Sequence, residues 1–488
     1  VLGLMAYAVN GQQNWSPTRV IYNVNQNTVY SQQQQQQQQQ SEPLSLARPI
    51  HFPTDRAIAT TPAPAAPVSS QGQAQFQYDA ASFSITELAR RVGAVLGQQS
   101  NAGVFSPVSI ACALSLLLIG ARNETRRELM QVLNFNPNEH DRHAIHRQFG
   151  RMLREVASTT PDAQPIPWRQ NDRCSDEEDD DYRQESQITH LANALFVRQD
   201  LPINARFVEL SRLFYNSSVV SLDFANNPQR SAFHINRWAS ENTFGKINEI
   251  VSNSIYPDTQ MIVANALYFK GLWKEAFEKQ ATTYRKFYPD GYGNPTTAKD
   301  VLTMAVIGCF PYFDSVQHGA RIVGLPYQGD KTALYIIIPN NSTRQRMQDF
   351  QQRLTAQDIG DMVVQMTIRK ALVQIPKMKI SNTINLRDIL KKLQLQSIFS
   401  PSTSNLSAIL DNSVNPYAQH RLFASEIIHK VELDINEKGT EGGAITASTI
   451  FRSLPSVQIR IDAPFLMLLG HDATRLPLFY GTIYDPSG

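Results

Sequence analysis

Three histidines, His140, His143 and His146, recur at intervals of three. At 100° per residue that spacing drifts around a helix and does not aim three nitrogens at one metal. A solvated helix surface is the better reading. The three cysteines, Cys112, Cys174 and Cys309, cannot form a disulfide framework or fill a four-ligand zinc site by themselves. Cys112 sits in an apolar run and reads as a small core residue, and Cys309 likewise. Cys174 lies in a polar segment and reads as a free thiol or an intermolecular partner. The sequence has no Gly-rich phosphate loop, no His-Glu-x-x-His and no Gly-x-Ser-x-Gly. No catalytic constellation is recognisable, so we expect no enzyme activity, metal or cofactor. Sugar attachment is the remaining candidate chemistry. Asn123, Asn216, Asn340, Asn341 and Asn405 lie in Asn-x-Ser/Thr triplets without Pro at x, which carry glycan only in the secretory pathway. Asn14 also fits, but Pro17 follows its Ser16 and makes it the weakest.

The elements that would position these residues alternate between helical and extended patterns. Residues 84–96 place Ile85, Leu88, Ala89, Val92 and Leu96 at helical spacing. Residues 107–119 are apolar almost all round and predict a buried helix opened by Pro107. Residues 140–156 predict a third helix. Strands are predicted at 191–198, 260–269, 332–338, 372–380, 422–436, 457–461, 465–469 and 478–483. Helices come mostly early and strands mostly late, without a regular βαβ repeat, which argues for an α+β fold.

Length and charge bound the reading. The 488 residues carry 45 Lys+Arg against 43 Asp+Glu, a balance that gives no reason to expect nucleic-acid binding. The apolar stretch 104–120 is broken by Ser106, Pro107, Ser109 and Ser115 and is too short for a membrane span. Two segments depart from globular composition. Residues 1–8 resemble the end of a signal peptide, with Ala6-Tyr7-Ala8 as a small-x-small site, so secretion is expected. Residues 9–75 hold an unbroken glutamine run at 32–40 and then Pro53, Pro62, Pro64 and Pro67; we expect disorder there. Residues 158–187 hold three prolines and Ser175-Asp-Glu-Glu-Asp-Asp-Asp181. Consecutive acids repel one another, so this is expected to be a disordered acidic insertion within a domain spanning 76–488.

Several runs together resemble one family, the serpins. They are Phe105-Ser-Pro-Val-Ser-Ile110, Ile235-Asn-Arg-Trp238, Thr243-Phe-Gly-Lys-Ile247 and Val263-Ala-Asn-Ala-Leu-Tyr-Phe-Lys-Gly-Leu-Trp273. Leu325-Pro-Tyr327, Ile375-Pro-Lys377, His429-Lys430, Asn436-Glu-Lys-Gly-Thr-Glu441 and Ala463-Pro-Phe465 follow in the family's order. Three positions depart from it: Gln394 where Gly is usual, Asn405 in the Asp-Leu-Ser motif, and Val431 where Ala is common. The resemblance implies three β-sheets, about nine helices and an exposed reactive loop near the C-terminus. It implies that Ser106, Asn265 and His429 form a hydrogen-bonded cluster beneath strands that open. It also implies a gate at Trp273 and Thr282, and a pair, Lys377 and Glu437, that steadies the loop hinge. The partner it implies is a target serine protease held in a covalent complex, the chain itself acting as a monomer.

The loop's residues suit insertion. Thr440, Gly442, Ala444, Thr446 and Ser448 form one face of an extended strand, and all are small. Glu441, Gly443, Ile445, Ala447 and Thr449 form the other. The hinge is read as Glu437, Gly439, Thr440, Glu441, Gly442, Gly443 and Ala444. The glycines lower strand propensity by up to about 1 kcal/mol together. Around ten new ladder hydrogen bonds at about 1 kcal/mol each outweigh that. Arg452-Ser453 is the expected reactive bond, because Arg fits a protease pocket with a buried Asp; counting by the commonest loop length points instead to Ser453-Leu454. On helix 140–156, His143, Arg147, Arg151 and Arg154 lie within about 80° of one another. This stripe reads as a solvated surface or as a site for sulfated polysaccharide, with the acid run as an internal competitor. The expected function is an extracellular suicide-substrate inhibitor of a trypsin-like protease, with a non-inhibitory carrier, storage or chaperone role as the alternative. The glutamine tail and acid insert are similar to those of secreted arthropod serpins that restrain melanisation and immune cascades.

Overall fold

The computed structural model describes residues 78–136, 141–158, 166–170, 187–252, 255–411, 413, 422–440 and 455–487. In chain order the elements begin with α1 (Ala80–Leu96), β1 (Ala102–Phe105), α2 (Pro107–Gly120), α3 (Asn123–Val132), α4 (Arg142–Ala157) and α5 (Pro167–Gln170). Next come β2 (Ile188–Arg198), α6 (Ala205–Tyr215), β3 (Ser218–Leu222), α7 (Pro228–Asn242) and β4 (Met261–Leu272). The middle holds β5 (Thr283–Phe287), β6 (Lys299–Ser315), β7 (Ala320–Pro326), β8 (Thr332–Pro339), α8 (Arg344–Arg353), α9 (Ala356–Val364) and β9 (Thr367–Pro376). The chain closes with β10 (Met378–Asn385), α10 (Arg387–Lys392), β11 (Glu426–Asn436), β12 (Gly439–Thr440), β13 (Val457–Arg460), β14 (Phe465–His471) and β15 (Leu476–Ile483).

These strands form two hydrogen-bonded sheets among the described residues. One has six strands in the order β10-β11-β12-β4-β2-β3. The other runs β1-β15-β14-β8-β7-β6-β9-β13, with β5 beside β6. The strands of the expected three sheets join into two hydrogen-bonded networks because β6, 17 residues long, pairs with β5 at 299–303, with β9 at 303–312 and with β7 at 312–315.

α2 explains the core. Ser106 caps it by accepting from the Ser109 N–H, Pro107 occupies its first turn, and all its residues are buried. It packs beneath β2 and β4. α7 covers the opposite face, where Ala232, Ile235 and Ala239 meet Ala194, Phe196, Ile262 and Ala264. With both faces covered, β4 is buried almost without alternation.

Three expectations need correction. The strand predicted at 372–380 is two strands in different sheets, β9 and β10. Pro376 lacks a ladder donor, and the Lys377 N–H turns to the Leu302 carbonyl at 2.8 Å. Secondly, residues 167–170 of the segment expected to be disordered form a short ordered helix. Residues 166–170 dock on the body: Ile166 and Trp168 are 3% exposed, and Arg169 donates to Asp472 (Nε, 2.7 Å), Asp330 (Nη1, 2.8 Å) and the Thr332 carbonyl (3.0 Å). An aromatic anchor and a buried ion pair outweigh the local polar composition. Thirdly, His146 is not solvated. It is buried, with Nδ1 2.6 Å from the Tyr215 hydroxyl, joining α4 to α6. His143 is exposed. The segments 1–8 and 9–75, the acid run and His140 lie outside the described residues.

Candidate functional site

The site is built where β4 and β11 part. Along residues 262–267 and 426–431 these two strands pair in parallel. Higher up they separate, and β12 lies between them. Gly439 pairs with Asn436 and Leu272, and Thr440 with Ile435 and Gly271. Between these two stretches, a cleft of about 280 Å³ is lined by Tyr268 and Lys270 of β4, Glu432, Leu433 and Asp434 of β11, and Lys246 and Lys379.

Sequence dictates this seating. A Cβ on Gly439 would come within 2.0 Å of the Gly271 carbonyl oxygen, with backbone φ at +156°, so only glycine passes between the strands. Thr440 is fully buried and its hydroxyl lies 2.7 Å from the Tyr327 hydroxyl. Burial pushes the Tyr327 hydroxyl up, keeping it protonated. Tyr327 stacks on Trp273 with ring centroids 4.3 Å apart. Trp273 binds the chain ahead of the hinge: its N–H donates to the Lys438 carbonyl at 3.0 Å and its Nε1 to the Asn436 carbonyl at 2.9 Å. Sequence reasoning assigned no role to Tyr327 or Gly271. Both lay inside quoted motifs, but a contact between distant segments has no local signature.

Glu437 gathers the remaining gate residues. It accepts from Lys377 Nζ at 2.9 Å and from Thr282 Oγ1 at 3.0 Å. Burial alone would push its pKa up, but the hydrogen bonds from Lys377 and Thr282 outweigh burial and hold the carboxyl below its usual range.

Beneath the paired stretch lies the second expected cluster. His429 Nε2 accepts the Ser106 N–H at 2.8 Å, so the proton sits on Nδ1, which faces Asn265 Oδ1. The Ser106 hydroxyl instead caps α2. All three residues are fully buried. Burial lowers the His429 pKa to about 3.

Other candidates lie apart from this site. His143, Arg147, Arg151 and Arg154 are all exposed on α4, and Arg147 approaches Asp141 at 3.8 Å. Asn123, Asn216, Asn340 and Asn341 are exposed; Asn405 is half-buried, and its side chain accepts from its own triplet's Ser407. Gln394 has φ +69°, the left-handed region that suits the family's glycine. Val431 is buried opposite Leu267. Cys112 is a buried free thiol, pushed up by burial. Cys309 is not the core thiol expected: it is half-buried and disulfide-bonded. Among the described residues no group of His, Cys, Asp and Glu could hold a metal, and no helix is long and apolar enough to cross a membrane. Glu441, Gly442, Gly443, Ala444, Arg452 and Ser453 lie outside the described residues, as does Cys174.

The family model for serpins, serine protease inhibitors, matches residues 84–486. The chain therefore belongs to the serpin family, whose members inhibit proteases and generally act on target serine proteases. "Serine protease inhibitor 28Dc" of Drosophila melanogaster is 34% identical over 421 residues, covering 80% of this chain and 77% of that protein. "Iris" of Ixodes ricinus is 29% identical, covering 80% and 94%. Among solved structures, Serpin48 of the insect Tenebrio molitor has a TM-score of 0.65 at 22% identity, covering 82% and 97%. Human thyroxine-binding globulin, complexed with thyroxine, has a TM-score of 0.69 at 22% identity, covering 84% and 100%.

Proposed function

We propose that this chain is a secreted suicide-substrate inhibitor of a trypsin-like serine protease. The protease serine attacks the Arg452 carbonyl, the Ser453 amine leaves, and an acyl-enzyme forms through the protease's own triad. The freed loop then runs on from Thr440 between β4 and β11, replacing their parallel ladder with two new ones. Reactive-loop insertion of serpins is itself a standard instance of strand addition. Insertion carries the acylated protease along and distorts its site before water attacks.

One observation carries this reading: the hinge residues Gly439 and Thr440 already form a strand seated between β4 and β11. If the strand continued with the same alternation on insertion, Gly442, Ala444, Thr446 and Ser448 would follow Thr440 on one face, and all are small. The fold alone would not carry it, since a thyroxine-binding neighbour shares that fold.

Mixing with trypsin tests the reading. A covalent complex surviving denaturing electrophoresis is expected, and cleavage without complex would overturn inhibition. Mass spectrometry of the released C-terminal fragment should show Ser453 as its first residue. Leu454 as first residue would shift the bond to Ser453-Leu454. A role restraining an arthropod immune or melanisation cascade is the narrower form of this proposal. Secretion should appear as glycan on Asn123, Asn216 and Asn340 or Asn341, with Asn405 unmodified because its side chain is engaged; a glycosidase-insensitive mass from eukaryotic culture would count against it.

A further inference from the structure

The turn between β7 and β8 is gripped at residues 330–332 from three places between α4 and β2. Arg169 donates to the Asp330 carboxylate (Nη1, 2.8 Å) and to the Thr332 carbonyl (Nη2, 3.0 Å). Lys331 Nζ donates to the carbonyl of Ser158, just after α4, at 2.8 Å. Thr332 Oγ1 donates to Gln187 Oε1, just before β2, at 2.9 Å. The same turn starts at Tyr327, whose hydroxyl faces Thr440 of the hinge. We propose that Arg169 and Asp330 are positioning residues for loop insertion: by fixing this turn, the docked segment 166–170 holds the Tyr327 hydroxyl where it meets Thr440. This deepens the suicide-substrate reading and rests on it.

The path from clamp to hinge is short. The Thr332 carbonyl that accepts from Arg169 also accepts the Tyr327 N–H at 3.1 Å, one lone pair for each. The Gln328 N–H donates to the Leu272 carbonyl at 2.8 Å, and Tyr327 bridges to Trp273. The turn therefore lies against the end of β4, where Leu272 pairs with Gly439. Its backbone is not one that most residues adopt: φ is +85° at Gly329 and +53° at Asp330. Asp visits that left-handed region through its short polar side chain, and the bond from Arg169 selects it.

The other end of the clamp is rigid. The Arg169 side chain is 7% exposed and pairs with buried Asp472, donating through Nε at 2.7 Å. The second Asp472 oxygen accepts from the Tyr335 hydroxyl at 2.8 Å. The guanidinium lies 4.4 Å over the Trp168 ring, and Trp168 meets Tyr335 edge to face. One guanidinium thus ties a fixed, buried carboxylate to a turn whose Asp330 side chain is 63% exposed. Hydrogen bonds weaken steeply with misalignment, so a loosened turn gives up the Tyr327–Thr440 contact. Insertion then starts more slowly, and the acyl-enzyme has longer to meet water.

Asp330→Gly tests this without stranding a buried charge, since the Arg169–Asp472 pair survives and glycine accepts the turn's φ. Titrated against trypsin, it should consume about twofold or more inhibitor per protease trapped. Tyr327→Phe, which keeps the ring on Trp273, should show a similar rise, and the double variant no more than the larger single effect. Asp330→Asn keeps an acceptor oxygen for Arg169 and should fall between Asp330→Gly and the parent. An unchanged ratio in Asp330→Gly, single effects that multiply in the double variant, or an Asp330→Asn protein as defective as Asp330→Gly overturns the proposal. Hydrogen exchange over 436–440 of the uncleaved protein, without protease, should quicken about fivefold or more in Asp330→Gly. Unchanged exchange overturns the clamp whether or not the chain traps a protease. Quickened exchange in a protein that trypsin cleaves without complex supports the clamp and fails only the inhibitory reading.

Discussion

His429 is buried with no charged partner among its hydrogen bonds, which come from Ser106 and go to Asn265. Its pKa, lowered to about 3 from the ordinary 6.5, makes a signed prediction. The unfolded chain binds a proton more readily than the folded one between those values. Stability from this site is therefore full above pH 6.5 and is lost as pH falls towards 3. His471, lowered to about 4 by burial, has the same sign. Thermal melts from pH 7 to 5 should show a steep loss, shallower in His429→Gln. Thr440 tests the hinge. An unpaired buried charge costs about 3–5 kcal/mol, so Thr440→Arg should slow insertion by about two decades or more. The expected readout is cleavage by trypsin with the covalent complex lost; an undiminished complex would refute the seating. Arg169→Ala leaves Asp472 buried without its cation and should cost about 3–5 kcal/mol in urea unfolding of the intact protein. A variant within 1 kcal/mol of the parent would mean that the docking of 166–170 rests on Trp168 alone.

At the scale of elements, the hinge and α4 behave differently. The hinge is a two-residue strand held by neighbours on both sides, so Gly271, Tyr327 and Trp273 set its position as much as its own residues do. α4 is amphipathic: Ile145, Phe149, Met152 and Val156 are buried, while its basic stripe faces solvent. Arg147→Ala, Arg151→Ala and Arg154→Ala combined should elute earlier from heparin. The log–log salt dependence should fall by roughly 0.7–0.9 per lost contact, as for nucleic-acid polyanions. Deleting residues 175–182 should delay elution if the acid run competes for the stripe. Equal retention of all three proteins would leave α4 as an ordinary solvated helix.

For the whole molecule, insertion implies that the intact protein is kinetically trapped. Around ten added ladder bonds at about 1 kcal/mol each, at about 2 °C per kcal/mol, predict that loop-cleaved protein melts on the order of 20 °C above intact protein. Calorimetry on trypsin-cleaved material checks this, and coincident melts would exclude insertion. The two sheets make the trap intelligible. One sheet carries the split between β4 and β11, while the other receives the chain after the loop through β13, which pairs with β9 at residues 371–374.

The sequence by itself determined the α+β class, α2, the C-terminal part of α1 and the approximate positions of β2, β4, β8, β11, β13, β14 and β15, and its motifs named the candidate gate and His429 residues. These are readable because apolar period and family motifs are local properties of the chain. It did not anticipate β1, β3, β5, β6 and β7. It misjudged 372–380, where apolar continuity hid a change of sheet at Lys377. It misjudged 166–170, where two buried side chains are outvoted by polar neighbours in any composition window. Only tertiary structure decided that β12 sits between β4 and β11, that Tyr327 meets Thr440 across 113 positions, and that Cys309 is bonded. The physical reason is common to all three. Each depends on which distant segments the core brings within a few ångströms, and sequence spacing carries no record of that distance.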